Sequence, residues 1–284
     1  MTRAADRAGA EPAPRPGGHA QLLADADRPG GWLLLLDRIR QSYVDLDDPT
    51  YLDFEYVQAF ADVLDALPEG ALTVTHIGGG GCTVARYLAA VRPGSTQLVL
   101  EPDTALTALI RARLPFARGT RVRIRPVDGR AGLAALAAAS ADVVVLDAFA
   151  GGRVPAELSA FEYVADVARV LRAGGVLLAN VADGPPGIYT RRLVAAVRSH
   201  LPQAMLLADP AVLKRRRYGN IVLAASCAPL PVAAIRRSAA AAMFPRRVLT
   251  GAELVRFVGG AAPLSDADPM RSPQPPDAIW RVGR

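Results

Sequence analysis

The stretch Leu72-Thr73-Val74-Thr75-His76-Ile77-Gly78-Gly79-Gly80-Gly81-Cys82-Thr83 decides the fold. A β-branched, apolar run leads into four glycines, and the pattern then changes at once to helical spacing over 83–91. Glycines at such a junction let the backbone approach a ligand closely and leave helix N–H groups to face its polar atoms. A tight strand-to-helix turn needs the same residues. The glycines alone therefore decide nothing about function.

The residues downstream do. The strand pattern 97–100 ends on Glu101, 21 residues after Gly80, where α/β nucleotide folds place the acid that accepts from ribose hydroxyls. Helix capping is the plainer role for Glu101. Strand 121–125 is followed by Asp128-Gly129, and the apolar run 143–146, as expected of a strand buried on both faces, closes on Asp147. Four successive strand ends thus carry Gly, Glu, Asp and Asp. Between these strands lie helical patterns at 83–91 and 104–114, with a short Ala-rich one after 125. Further on come a helix at 161–171 stopped by Gly174-Gly175, a buried strand at 176–180, a helix at 191–199, and closing strands at 204–208 and 220–225. Such alternation specifies a mostly parallel sheet of seven strands with helices on both faces.

Upstream, 32–37 reads as a strand and 51–67 as a helix opened by Pro49, together a small β/α extension spanning 32–70. Residues 1–31, rich in Arg, Asp, Pro and Gly, are expected to be a disordered lead-in without a secretory signal. The nucleotide-binding domain spans 71–228. The tail 229–284 carries helices at 232–243 and 251–257 but no further strand, and 263–276 is expected to wrap the surface.

In a chain of 284 residues, 51% hydrophobic and 21% charged, there is enough apolar surface for a large core. No apolar run approaches the ~20 residues of a membrane span. Cys82 and Cys227 form neither a disulfide framework nor a metal motif, so a reducing cytoplasm and no metal are expected. The net charge of +6 comes almost wholly from scattered arginines, Lys214 being the single lysine. The dense run Lys214-Arg215-Arg216-Arg217 suits a solvated face or a patch for an anionic substrate better than a nucleic-acid surface.

These motifs carry a specific resemblance. From Trp32 to Ser226 the chain resembles the spermidine synthase (polyamine aminopropyltransferase) family, within the Rossmann-like class I methyltransferase fold. The resemblance implies S-adenosylmethionine or its decarboxylated form as cofactor, a small-molecule acceptor, and a transferase. It assigns the glycine motif to Gly78, Gly79 and Gly80, the ribose acid to Glu101, and the adenine site to Asp128 and Gly129; Gly81, the last glycine of the turn, is a cofactor-binding candidate beside them. The family's N-terminal Gln matches Gln41, its Tyr at the active-site mouth matches Tyr51, and the first acid of its active-site loop matches Asp147. The chain departs from the family at Gly81 and Ala150, where the family has acids, the latter its general base. It departs also at Asn180, in place of a Gln, and at Leu52, in place of a His. Loss of an acid beside the glycines removes repulsion of an intact methionine carboxylate, which leans the reading towards methyl transfer.

Asp183 is a candidate substitute for the acid missing at Ala150, and Tyr189 a candidate substrate contact in the loop after the fifth strand. Asn180 belongs with them on the substrate side. His76 and Cys82 read as packing residues. The alternatives to an alkyl transferase are a true spermidine synthase, a non-catalytic nucleoside-binding paralogue, or a Rossmann dehydrogenase, the last disfavoured by the glycine spacing. No nucleic-acid or membrane partner is expected, and a homodimer is one expected assembly.

Overall fold

The computed structural model describes residues 19–276. Two sheets divide the chain. A small antiparallel one contains β1 (Ala20–Ala24), β2 (Gly31–Leu36) and β3 (Ile39–Asp45), in that order. Helix α1 (Glu55–Ala66) links it to the main sheet, whose strands alternate with helices along the chain. These are β4 (Thr73–Ile77), α2 (Thr83–Val91), β5 (Thr96–Leu100), α3 (Thr104–Arg113), β6 (Arg121–Arg125), α4 (Gly129–Ala134), β7 (Ala141–Leu146), α5 (Phe161–Val170), β8 (Leu171–Asp183) and α6 (Ile188–Arg198). The chain then continues through β9 (Gln203–Ala208), α7 (Pro210–Leu213), β10 (Gly219–Ser226), α8 (Val232–Ala241), β11 (Arg247–Thr250) and α9 (Gly251–Val258). The strand order is β11-β9-β10-β8-β7-β4-β5-β6. Strands β4 to β8 run parallel, while β10 pairs antiparallel with both β8 and β9. Chain direction across the sheet reverses beside β4, between β5 and β7. That is the switch point at which open α/β sheets form their ligand crevice.

Helices cover both faces. One core layer joins Ile77, Leu146, Tyr163, Val167 and Leu193 under α5 and α6; the other joins Phe60, Leu64, Val143, Val145, Leu178 and Ile235 under α1 and α8. A buried ion pair, Arg246 with Asp62, ties α1 to the chain entering β11. No helix among the described residues is long and apolar enough to cross a membrane.

Several expectations need correction. The sheet has eight strands, because β11 pairs with β9 beyond the point where no further strand was expected. Four residues, RVLT, give too short a run for periodicity to register. The lead-in expected through Gly31 contains β1, paired in register with β2; its residues 1–18 lie outside the described residues. Helix α1 starts at Glu55 rather than at residue 51. The Asp48 carboxylate accepts from the Thr50 N–H and hydroxyl, and the resulting turn delays the helix. Strand β8 begins directly at Leu171. It pairs there with Ala141 and resumes at Val176 opposite Val143, the intervening residues bulging out around Gly174 at φ +77°. The tail 264–276 crosses the loop after β7. There the Ser272 hydroxyl accepts from the Val154 N–H at 2.8 Å, and its carbonyl accepts from Arg153 Nε at 2.6 Å.

Candidate active site

The glycine turn is fastened on every side. Gly78, at φ +88°, passes so close to β7 that a Cβ there would lie 2.3 Å from the Asp147 carbonyl oxygen, so no side chain is admitted. The Gly79 N–H donates to Glu101 Oε2 at 2.8 Å, and Glu101 Oε1 accepts from the Asp103 N–H. The Gly81 N–H donates to Ser42 Oγ of β3 at 3.0 Å, and the Gly81 carbonyl accepts from Arg86 Nε. Thr83 donates its hydroxyl proton to the Tyr43 carbonyl. The N-terminal sheet is therefore clamped onto the turn, and Gly78, Gly79, Gly80 and Glu101 stand together as the sequence suggests.

Asp128 caps α4: its Oδ1 accepts from the N–H groups of Arg130 and Ala131, and both bonds land on that one oxygen. Gly129 lies under β4, where a Cβ would come within 2.4 Å of Ile77. Asp147, at the end of β7, accepts from the Tyr56 hydroxyl through Oδ2 and from Asn180 Nδ2 through Oδ1, each at 3.0 Å. Burial pushes the Asp147 carboxyl above the usual carboxylate range, against the opposing pull of the two hydrogen bonds. Asn180 Oδ1 is buried with no hydrogen-bond partner among the described residues.

Two hollows meet at Tyr56. One, of about 20 Å³ and so the size of a single water, lies among Ser42, Tyr56, Gly78, Gly79, Thr83 and Asp147. The other, of about 340 Å³, opens between α1, β9, α7 and β10 and is lined by Asp53, Glu55, Tyr56, Arg217, Asn220 and Arg246, among others. Tyr56 is a wall of both.

Other candidates fall elsewhere. Gln41 is the extra residue of a β-bulge in β3, since Leu34 pairs with Ser42 and Leu35 with Arg40; its neighbour Ser42 makes the bond to the glycine turn. Tyr51 packs edge-on to Tyr43 beneath the Arg28 guanidinium and lines neither hollow. Asp183 is buried, its oxygens accepting from the Gly184 N–H and from the Thr190 N–H and hydroxyl in the first turn of α6, and it lines neither hollow. Tyr189 is wholly buried, its hydroxyl 2.6 Å from Ser159 Oγ, and lines neither hollow. Ala150 itself is tied to Arg153 by a two-residue bridge. His76 is buried against Gln97 and pushed down to about 4, and burial pushes the Cys82 thiol up to about 12. Both are inert. Ser42, Tyr56, Glu55 and Asn220 were missed. Of these only Tyr56 left a trace, as an aromatic in the first turn of an otherwise amphipathic helix.

No family model matches the chain. Over 149 residues it is 29% identical to a polyamine aminopropyltransferase of Neisseria meningitidis serogroup A, covering 51% of this chain and 55% of that protein. The chain thus spans about half the length of the curated relative it matches. A crystal structure of a probable spermidine synthase from Corynebacterium glutamicum superposes with a TM-score of 0.82 at 32% identity, covering 87% of this chain and 92% of that one. The chain belongs to the spermidine synthase family. Human methyltransferase-like protein 13 in complex with SAH, at 18% identity and a TM-score of 0.52, covers 65% of this chain and 92% of its own and shares the fold. The α/β architecture of this spermidine synthase relative is accordingly the methyltransferase-like one.

Proposed function

We propose that this spermidine synthase relative transfers an aminopropyl group from decarboxylated S-adenosylmethionine to an amine held in the 340 Å³ cavity. The observation that carries the reading is Tyr56, which walls both hollows and donates its hydroxyl proton to Asp147. Asp147 lines the small hollow at the glycine turn, and Tyr56 alone stands between its carboxylate and the cavity that would hold the amine.

The residues fit such a nucleoside. Each Glu101 oxygen accepts one backbone bond and keeps a lone pair for a ribose hydroxyl. Asp128 Oδ2, free of the capping bonds, suits the exocyclic amine of adenine. When bound there, the cofactor supplies a carbon activated by its sulfonium. The chain's own part is to deliver a neutral amine. Asp147, with proton affinity raised by burial, takes the ammonium proton, while Tyr56 and Asn180 hold the carboxylate in place. This assigns to Asp147 the work that the family gives to the acid absent at Ala150.

Against methyl transfer, a methionine carboxylate would find few donors at the turn, since the Gly81 N–H is occupied by Ser42 and that of Gly79 by Glu101. Glycine at 81 also answers a packing demand, since a Cβ there would lie 2.8 Å from Val44 Cγ2. Parallel calorimetric titrations with the two cofactors, followed by mass analysis of amine products, test the reading. Tighter binding of the decarboxylated form and a product heavier by an aminopropyl group are expected. Methylated product, or binding without any product, would overturn it in favour of a methyltransferase or a non-catalytic paralogue.

A further inference from the structure

The rim of the large cavity carries more unspent hydrogen-bond donors than a diamine acceptor can use. Arg40, from β3, gives one N–H to Asp53 at 2.9 Å; Arg217, from the basic run before β10, reaches Asp209 at 3.2 Å. Both side chains are about half exposed, at 45% and 51%. A guanidinium has five N–H donors, so each keeps several without a hydrogen-bond partner among the described residues, that of Arg40 lying also over the Phe54 ring. Arg246, the third arginine of the lining, is spent on Asp62 and Gln58. Glu55 is the acid of the lining with no ion-pair or hydrogen-bond partner among the described residues, Asp53 and Asp209 being paired. Asn220, from β10, also lines the cavity, and its Oδ1 is buried with no hydrogen-bond partner among the described residues.

A diamine brings N–H donors only. It can satisfy Glu55 and Asn220 but leaves both guanidiniums facing a second cation. A group with an ammonium and a carboxylate on one carbon satisfies the whole rim, the carboxylate across Arg40 and Arg217 and the ammonium at Glu55. Resting on the transferase reading above, we propose that the acceptor is a diamino acid. Its zwitterionic head lies at the Arg40–Arg217–Glu55 rim, and its side-chain amine reaches past Asn220 to Tyr56 and Asp147.

Ornithine and 1,4-diaminobutane differ by one carboxylate and make the decisive pair. Both are titrated calorimetrically into the full-length protein, alone and loaded with 5′-methylthioadenosine. Ornithine should bind at least about tenfold more tightly, the range of one charge-assisted bond to a guanidinium. Arg217→Gln and Arg40→Gln, each checked by melting temperature, should bring that ratio towards one. Equal or tighter binding of diaminobutane overturns the proposal, as does failure of both amines to bind a protein that holds the nucleoside. A protein that binds ornithine but no nucleoside would instead overturn the transferase reading, and with it the acceptor role, and leave only a diamino-acid binding site at the rim.

Discussion

The two sides of the candidate site are built differently. On the proposed cofactor side, Gly78, Gly79, Glu101 and Asp147 come from the ends of three neighbouring strands, β7, β4 and β5, in the parallel part of the main sheet. On the acceptor side, Arg40, Glu55, Tyr56, Arg217, Asn220 and Arg246 come from two sheets and the helix between them, spread over most of the chain. A parallel sheet converts sequence order into position, because every strand end falls on the same edge. The cavity wall has no such rule. Its residues meet only through the packing of α1 on β9 and β10 and the clamp of β3 on the glycine turn.

Asp147 is where the two sides join, and its loss should have the largest effect. Asp147→Asn keeps the shape and the Asn180 bond but removes the proton acceptor, so kcat should fall by about 10²–10⁴-fold while the melting temperature stays within a few degrees. The pH behaviour is a second readout. Burial raises the folded-state pKa of Asp147, so the folded state binds more protons than the unfolded one between the ordinary and the raised value. Stability should therefore fall as pH rises through that window, and the slope should vanish in Asp147→Asn. Activity should rise over the same window as the base ionises. A variant with full turnover would separate the two sides again.

His76 tests whether the cofactor side is the rigid one. It is buried behind the turn, bonded to Gln97, and pushed from 6.5 down to about 4 by desolvation. The unfolded chain thus takes up a proton that the folded chain refuses, and stability is lost as pH falls through that interval. Two to three units correspond to ~3 kcal/mol. Urea unfolding from pH 7 to 4 should show this loss in the wild type and a flatter profile in His76→Gln. Identical profiles would mean that the imidazole is reached by water.

The same contrast explains what was legible in the amino-acid sequence. Strands β4 to β7 and the acids at their ends were readable because periodicity, glycine and the closing carboxylate all act within about ten residues. The resemblance points to Tyr51, whereas the structure has Tyr56 on Asp147. The Asp48 turn moves the helix start to Glu55, so that Tyr56 falls in its first turn. Asp183 and Tyr189 looked like loop residues with functional chemistry, yet their polar atoms are consumed locally by Thr190, Gly184 and Ser159. A carboxylate that caps a helix and one that meets a substrate look alike until their hydrogen bonds are counted.

Glu101 bears on the cofactor side alone. Glu101→Ala should weaken binding of either nucleoside by about 1.5–3 kcal/mol, the range for hydrogen bonds to a charged group. Part of the loss would come from the Gly79 and Asp103 N–H groups, which also lose their acceptor. Glu101→Gln retains one acceptor oxygen and should fall between the wild type and the alanine variant. Unchanged affinity in both, measured by calorimetry on folded protein, would remove the ribose role and leave Glu101 as a brace for the turn.

The smallest effect is expected at the seam between the sheets. Ser42→Ala removes the acceptor for the Gly81 N–H without altering the turn's covalent geometry. The site is partly exposed and water can replace the hydroxyl, so the cost should be about 1 kcal/mol, a fall of a few degrees in melting temperature. Its value lies in the cofactor ratio. If the turn is shut to a carboxylate because Ser42 holds that N–H, freeing it should move affinity towards S-adenosylmethionine relative to the decarboxylated form. If packing of Val44 and Ser42 against Gly81 is what closes the space, the ratio should not move, because Val44 stays 2.8 Å from where a Cβ would stand. We expect the second outcome. Glycine 81 has all its space taken by β3, whereas one hydrogen bond is easily exchanged for water. A clear shift towards S-adenosylmethionine would restore methyl transfer as the better reading and make Ser42 the residue that sets cofactor choice.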